Sequence, residues 1–176
     1  PASLDFDSMI GAAPTFRAAL AVAAKAARGH GTVLIEGESG TGKEMLVRAM
    51  HAASPRSKMP VRIINAAGVP ANSIESVLFG HERGAFPGAF DRQIGALQHC
   101  DGGTLVIDEI DRLPEAIQSR LAESLIRRDV RPIGARHSFK VDVRLIAASN
   151  YPLKELVHAG HFLPELYEAL AGTTVV

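Results

Sequence analysis

The fold class is decided by one stretch of sequence, Thr32-Val33-Leu34-Ile35-Glu36-Gly37-Glu38-Ser39-Gly40-Thr41-Gly42-Lys43-Glu44. Its first five residues are mainly apolar and rich in β-branched side chains, which predicts a short buried strand. Its second half fits the pattern G-x-x-x-x-G-K, and residues 43–53 are predicted to form a helix. The stretch therefore predicts a strand, a glycine-rich turn and a helix in immediate succession.

A turn of this kind is typical of a site that binds phosphate groups. Its glycines allow consecutive backbone N–H groups to turn inward around phosphate oxygens, and the helix that follows points its positive end at them. Lys43 adds a full charge near the β- and γ-phosphates, whereas a plain glycine-rich turn has no use for a lysine at the start of the helix. The predicted site comprises Gly37, Glu38, Ser39, Gly40, Thr41, Gly42, Lys43 and Glu44.

The rest of the chain extends this unit into an α/β fold. Three further near-continuous apolar runs predict strands, at residues 61–64, 104–107 and 143–148. Helical patterns lie around residues 16–27, 113–125, 153–159 and 163–170, and the chain ends on a β-type run. Apolar strands that alternate with helices form a parallel sheet sandwiched between helices, and ligands bind such sheets beyond the carboxyl ends of the strands.

Polar side chains follow the predicted strands at those ends. Asp108 and Glu109 come directly after the strand that begins at Thr104. An aspartate there can hold Mg²⁺, directly or through water, and a glutamate beside it can orient or deprotonate an attacking water. Asn65 and Asn150 follow two other strands; an asparagine there is commonly a turn former, but an amide beside Asp108 could also fix the water or restrain Glu109.

Composition narrows the class of protein. The chain has 176 residues, 47% hydrophobic and 22% charged, which indicates one globular domain. Nineteen basic residues balance nineteen acidic ones, so this segment is not by itself a DNA-binding module. Its apolar runs are far shorter than the roughly 20 residues of a membrane span, and the single cysteine, Cys100, excludes an internal disulfide framework and fits a reducing cytoplasm. Because it begins at Pro1, we expect residues 1–176 to be one domain excised from a larger protein.

Several motifs, taken together, resemble one family. They are Gly37 to Glu44 as quoted above, Ser76-Val77-Leu78-Phe79-Gly80-His81-Glu82, Gly84-Ala85-Phe86-Pro87-Gly88-Ala89, Gly102-Gly103-Thr104-Leu105-Val106-Ile107-Asp108-Glu109-Ile110 and Val141-Asp142-Val143-Arg144-Leu145-Ile146-Ala147-Ala148-Ser149-Asn150. In this order the set resembles the central AAA+ domain of sigma-54-dependent transcriptional activators, the bacterial enhancer-binding proteins. The resemblance runs from about Phe6 to the end of the chain.

The resemblance implies an activity and roles for the residues above. Such proteins hydrolyse ATP with Mg²⁺ as ring oligomers, usually hexamers, and remodel the closed promoter complex of sigma-54 RNA polymerase. It implies that Asp108 and Glu109 are the Walker B pair and that Asp108 holds Mg²⁺. It also implies that Asn150 is the sensor I residue and Asn65 the switch partner of Glu109. The loop of residues 84–89, here the contact loop, would touch sigma-54. Glu44 replaces the Ser or Thr of generic P-loops, as is usual in this family.

The resemblance also implies parts that lie outside this chain. Family members commonly add an N-terminal sensory domain, often within a two-component system, and a C-terminal helix-turn-helix that binds DNA. The helical lid with its sensor II arginine would begin just beyond Val176. We therefore expect a cytoplasmic regulator without a membrane segment.

Two departures from the family pattern bear on function. Pro87 replaces the threonine of the contact loop, which removes a hydroxyl and one N–H and is expected to weaken sigma-54 binding. Leu163 and Ala169 stand where the family carries arginines that reach the ATP of the neighbouring subunit. The sequence thus leaves two hypotheses, a working ATPase or a degenerate module that binds ATP, assembles and hydrolyses little. A different AAA+ machine is a third, which the contact loop argues against.

Two further clusters admit plainer interpretations. His158 and His161 are spaced like a pair of metal ligands but have no third ligand near them in sequence, which favours solvated histidines. A basic cluster comprises Arg127, Arg128, Arg131, Arg136 and Lys140. Because a single aromatic residue, Phe139, is interleaved with it, we interpret it as a solvated surface or a subunit contact rather than a nucleic-acid site.

Overall fold

A five-stranded parallel sheet forms the centre of the molecule. The computed structural model describes residues 31–37, 43–170 and 173–175. The sheet contains β1 (Val33–Glu36), β2 (Val61–Asn65), β3 (Thr104–Asp108), β6 (Arg144–Ser149) and β7 (Thr173–Val175), in the spatial order β2-β3-β6-β1-β7. A separate antiparallel pair is formed by β4 (Asp129–Val130) and β5 (Phe139–Lys140).

Helices connect these strands. They are α1 (Lys43–Ala52), α2 (Ile74–Phe79), α3 (Ala96–His99), α4 (Glu115–Arg127), α5 (Leu153–His158) and α6 (Pro164–Leu170). Two short 3₁₀ turns follow these strands: Ala66–Gly68 comes directly after β2, and Ile110–Arg112 begins one residue after the end of β3. In the part of the chain described, no helix is long and apolar enough to cross a membrane.

Both faces of the sheet are buried, and alternate residues of each strand face opposite cores. Leu105 and Ile107 of β3 belong to the larger core, beneath α2 to α6, whereas Val106 between them belongs to the smaller core beneath α1. Leu34 of β1 likewise faces the larger core, and Val33 and Ile35 face the smaller one. The predicted sheet sandwiched between helices is thereby confirmed, since burial on both faces is what made the strands continuously apolar.

The differences from prediction lie at element ends, between residues 66 and 103, and at the unpredicted pair β4 and β5. The strands β2, β3 and β6 each run one residue further than predicted, to Asn65, Asp108 and Ser149. The short helices α2 and α3 were not predicted, because one or two turns do not establish a helical period. The predicted helix around residues 16–27 lies outside the described residues.

Candidate functional site

The carboxyl ends of the strands bring the predicted site residues to one edge of the sheet. Asn65 and Asp108 are register partners at the ends of β2 and β3. Glu36 and Ser149 are register partners at the ends of β1 and β6. Gly37 and Asn150 directly follow these two strands, so the structure places Gly37, Asn65, Asp108 and Asn150 along the same edge.

The phosphate turn is described at its two ends. Gly37 leaves β1, and its backbone N–H donates to the carbonyl of Ser149 at 3.1 Å. The helix α1 begins at Lys43, so the predicted succession of strand and helix is observed. Glu38, Ser39, Gly40, Thr41 and Gly42, together with the side chains of Lys43 and Glu44, lie outside the described residues.

The pair that follows β3 has an unusual backbone. Glu109 lies in the left-handed region, at φ 50° and ψ 47°. This conformation costs a residue with a side chain roughly 1–2 kcal/mol. Two hydrogen bonds hold it: the N–H of Glu109 donates to Oδ1 of Asp108 at 2.8 Å, and its carbonyl accepts from the N–H of Arg112 at 2.9 Å. Strain of this kind, held by its surroundings, is a frequent feature of functional sites.

Asn65 uses half of its side chain for local structure. Its Oδ1 accepts a hydrogen bond from the N–H of Ala67 at 2.9 Å and so caps the 3₁₀ turn after β2. The turn-forming role that the sequence suggests for Asn65 therefore belongs to its side-chain oxygen. The amide nitrogen can only donate, which suits it to a carboxylate or a water at this edge.

A buried serine fixes the turn that carries Asn150. The Ser149 hydroxyl accepts from the N–H of Tyr151 at 3.1 Å and lies 2.8 Å from the carbonyl of Tyr151 and 3.3 Å from Oδ1 of Asp111. One hydroxyl has one proton, so the two acceptors share it. Because Asp111 belongs to the 3₁₀ turn after Glu109, this serine links the turns that carry Asn150 and Glu109. The sequence analysis missed both Ser149 and Asp111.

Glu36 makes a second contact that the sequence analysis missed. Its Oε2 accepts a hydrogen bond from the N–H of Leu153, the first residue of α5, at 2.6 Å. An acidic residue directly before the phosphate turn was the only signal in the sequence for it.

No group of three or more His, Cys, Asp or Glu side chains that could hold a metal occurs among the described residues, a set that includes His158 and His161. Mg²⁺ commonly uses one or two carboxylates together with nucleotide phosphates and water. With one oxygen of Asp108 engaged by Glu109, its second oxygen fits that arrangement.

The contact loop projects from this scaffold as a tight turn. The N–H of Gly84 donates to the carbonyl of Ala89 at 2.8 Å, and the N–H of Ala89 donates to the carbonyl of Phe86 at 3.0 Å. Pro87 lies exposed at the tip. Phe86 is 40% exposed and contacts the His81 ring edge-on at 4.9 Å between centroids, so part of its ring stays open to solvent.

Hydrogen bonds and close backbone packing hold the stem of the contact loop, which comprises residues 80–82 and 91–95. His81 is buried; its Nε2 must donate to the carbonyl of Asp91, at 2.9 Å, because a carbonyl can only accept, and its Nδ1 bonds to the Ser76 hydroxyl. Gly80 and Gly95 lie back to back. A Cβ on Gly95 would come within 2.3 Å of the nitrogen of Gly80, so neither position has room for a side chain.

Comparison with known proteins assigns this arrangement to a family. Residues 9–176 match the family described as the Sigma-54 interaction domain. The chain belongs to this family.

Among relatives of this sigma-54 interaction domain is the transcriptional regulatory protein ZraR of Klebsiella oxytoca, 46% identical over 95% of the chain and 38% of ZraR. The response regulator protein FleR of Pseudomonas aeruginosa is 43% identical over 94% of the chain and 35% of FleR. The chain thus spans little more than a third of these relatives.

Solved structures agree with the fold. NtrX from Brucella abortus in complex with ATP superposes with a TM-score of 0.84, is 30% identical, and is matched over 94% of this chain and 37% of NtrX. The P-loop NTPase domain of a sigma-54 activator from E. coli gives a TM-score of 0.62 over 91% of this chain and 93% of that one; at 19% identity it supports the fold alone. The domain therefore has the α/β fold of these solved structures.

The two arginine positions of the family lie in a packed part of this sigma-54 interaction domain. Leu163 packs against the larger core, and its N–H donates to Oε1 of Gln118 at 2.9 Å. Ala169 is half-buried on α6. The given sequence has no arginine after Arg144, so the segment that includes α6 carries no guanidinium.

Proposed function

We propose that this sigma-54 interaction domain binds ATP with Mg²⁺ between the phosphate turn and the edge formed by β2, β3 and β6. The observation that carries the proposal is the convergence of Gly37, Asn65, Asp108 and Asn150 on the edge where α1 begins. In this assignment the residues from Gly37 to Glu44 bind the phosphates, with the charge of Lys43 beside them.

The acidic pair would supply the hydrolytic chemistry. Mg²⁺, when bound, neutralises charge on the phosphate oxygens, and Asp108 would hold it through the oxygen that Glu109 leaves unused. The left-handed backbone at Glu109 ends the extended line of β3, and the carboxylate of Glu109 could orient or deprotonate water. Asn150 would position the same water, and the amide nitrogen of Asn65 could hold Glu109 in an idle position.

At the level of the whole regulator, we infer that ATP drives assembly of a hexameric ring. This ring would act on sigma-54 RNA polymerase through the contact loop. Residues 1–176 would be its ATP-binding domain, with the DNA-binding part elsewhere in a cytoplasmic protein. The positions of Leu163 and Ala169 favour slow hydrolysis, because an arginine supplied in trans is worth about 10³ to 10⁵ in rate. The second candidate function follows from them: an ATP-dependent assembly module that does not itself activate sigma-54.

Isothermal titration calorimetry with Mg²⁺ and ATP tests the binding step in the full-length protein. We expect binding by the wild type and its loss in Lys43→Ala, since that variant removes the charge beside the phosphates. Lys58→Ala removes an exposed lysine from the segment before β2 and is the matched control. Equal ATP affinity in the wild type and Lys43→Ala would contradict the assignment.

A further inference from the structure

We propose that a cleft between α4 and residues 131–138 binds an acidic peptide segment of a partner protein. The cleft has a volume of about 630 Å³ and lies outside the nucleotide edge. The charged residues that line it are Arg120, Glu123, Arg127, Asp129, Arg131 and Arg136. We call it the arginine cleft.

Three of its cations are available to a ligand. Among the described residues, no carboxylate lies within 4.0 Å of the guanidinium of Arg131 or Arg136. Arg127 pairs with Glu123 at 3.3 Å, but the two side chains are 66% and 58% exposed. An exposed pair one helical turn apart holds its members weakly, so an incoming carboxylate can compete for Arg127.

The fourth arginine builds the wall of the cleft. Arg120 pairs with Glu75 at 3.5 Å, lies 4.4 Å above the centre of the Phe79 ring, and donates to the carbonyl of Arg131. The Nε of Arg131 in turn donates to the carbonyl of Ala135 at 2.8 Å. These contacts hold residues 131–138 in place before a ligand arrives, which reduces the entropy lost on binding.

The arginine cleft is continuous with the contact loop. Ile133 exchanges backbone hydrogen bonds with the stem of that loop: its carbonyl accepts from the N–H of Glu82 and its N–H donates to the carbonyl of Gly80, both at 2.9 Å. A Cβ built on Gly134 would come within 2.9 Å of the Cβ of Ala85. A protein that touches Phe86 at the tip can therefore extend one segment into the cleft; this identification of the partner rests on the proposed function.

The charge pattern favours a peptide over a nucleic acid. Glu123 and Asp129 line the cleft beside the arginines and would repel a backbone that carries a charge at every nucleotide. An acidic peptide can place a neutral or basic side chain opposite those two carboxylates. The planar fork of a guanidinium also matches a carboxylate in two parallel hydrogen bonds. Three members of the basic cluster that was interpreted from sequence as a solvated surface or subunit contact, Arg127, Arg131 and Arg136, line this cleft.

Fluorescence anisotropy with labelled hexaglutamate tests the cleft in the full-length protein at low ionic strength. We expect saturable binding that falls at least about tenfold in Arg127→Glu/Arg136→Glu, since each reversal removes an attraction and adds a repulsion. Arg136→Lys keeps the charge but loses the planar fork, so its affinity should lie between those of the wild type and the double reversal. Lys58→Glu is the matched reversal outside the cleft and should change the affinity less than about twofold.

Three results would overturn the assignment: no binding of hexaglutamate, an equal loss in Lys58→Glu, or tighter binding of hexathymidylate with the same dependence on Arg127 and Arg136. The last would assign the cleft to nucleic acid. Sigma-54 binding by wild type and Phe86→Ala is measured in parallel. If hexaglutamate binding depends on the cleft while sigma-54 fails to bind the wild type, the arginine cleft is supported and the proposed sigma-54 contact fails.

Discussion

The carboxylate of Glu36 accepts a hydrogen bond from the backbone N–H of Leu153, with 2.6 Å between Oε2 and N. Glu36 ends β1 and directly precedes the phosphate turn, whereas Leu153 begins α5 just after Asn150. One side chain therefore joins the entry of the phosphate turn to the segment that carries the proposed sensor residue.

Removing this contact should destabilise the domain measurably. Glu36→Ala leaves the N–H of Leu153 without its acceptor and is expected to lower the free energy of unfolding by about 1–2 kcal/mol. Glu36→Gln keeps an uncharged acceptor and should lose less. Urea denaturation measures both, with Glu168→Ala on the exposed face of α6 as the control. A Glu36→Ala variant as stable as this control would show that the contact contributes nothing.

The backbone at Glu109 gives a second prediction, in which glycine is compared with alanine. Both Glu109→Gly and Glu109→Ala remove the carboxylate, so both should abolish any hydrolysis by the full-length protein. Only glycine relieves the left-handed strain. The greater flexibility of glycine in the unfolded chain offsets part of this gain, so Glu109→Gly should be more stable than Glu109→Ala by about 1 kcal/mol. Equal midpoints of thermal unfolding would mean that the backbone relaxes in the alanine variant.

The contact loop should gain sigma-54 affinity when Pro87 is replaced. Pro87→Thr restores both a hydroxyl and a backbone N–H at the exposed tip, whereas Pro87→Ala restores only the N–H. In native gels with a mimic of the transition state of ATP hydrolysis, we expect Pro87→Thr to shift sigma-54 more strongly than the wild type, with Pro87→Ala between them. A wild type that shifts sigma-54 as strongly as Pro87→Thr would exclude a role for the missing hydroxyl.

Turnover should be low although ATP binds normally. Leu163 and Ala169 supply no cation, so the transition state loses its partner from the neighbouring subunit. The bound ground state does not depend on that cation and is expected to survive. We expect kcat depressed by about 10³ or more relative to an arginine-bearing relative, with a similar Kd for ATP. Mixing the full-length protein with such a relative should raise its turnover. Robust turnover by the protein alone, rising steeply with its concentration, would mean that another residue supplies the cation in trans.

The stability of the domain should fall on mild acidification because of His51. Burial lowers the pKa of His51 below its ordinary 6.5, and the charge of Arg144 lowers it further, against backbone hydrogen bonds to Met59 and Ser57 that raise it. The unfolded chain then binds the proton more readily, so stability is complete above pH 6.5 and is lost as the pH falls toward the pKa in the folded state.

Urea denaturation between pH 7.5 and pH 5.5 measures this effect. His51→Asn cannot titrate and should flatten the pH dependence, whereas His137→Asn, an exposed histidine, should not. An unchanged slope in His51→Asn would assign the acid sensitivity to other groups.

The sheet could be predicted from sequence because its strands are buried on both faces. Burial on both faces requires continuous apolar runs, and strands such as β3 and β6 show them. The ends were less predictable, since Asp108 and Ser149 are polar yet remain in the hydrogen-bonded ladder. The alignment of Asn65 beside Asp108 followed from the rule that parallel strands share a carboxyl edge.

Contacts between distant segments could not be predicted in the same way. Neither the hydrogen bond of Glu36 with Leu153 nor that of Ser149 with Asp111 has a local sequence pattern, because each depends on how two turns meet after folding. The arginine cleft is similar. Its cations were visible in the sequence, but their position beside the contact loop depends on the pairing of Ile133 with Gly80 and Glu82.

Because Gly80 and Gly95 of the stem lie back to back, the stem of the contact loop tolerates substitution less well than its tip. A side chain at Gly80 or Gly95 forces two backbones apart and endangers folding, whereas Pro87 at the exposed tip can be replaced by Thr without disturbing a buried atom. Partner preference in such a domain can therefore diverge through point changes at Pro87 and its neighbours while the body of the domain stays intact. A laboratory library that randomises the tip and leaves the stem fixed would sample new recognition without sampling misfolding.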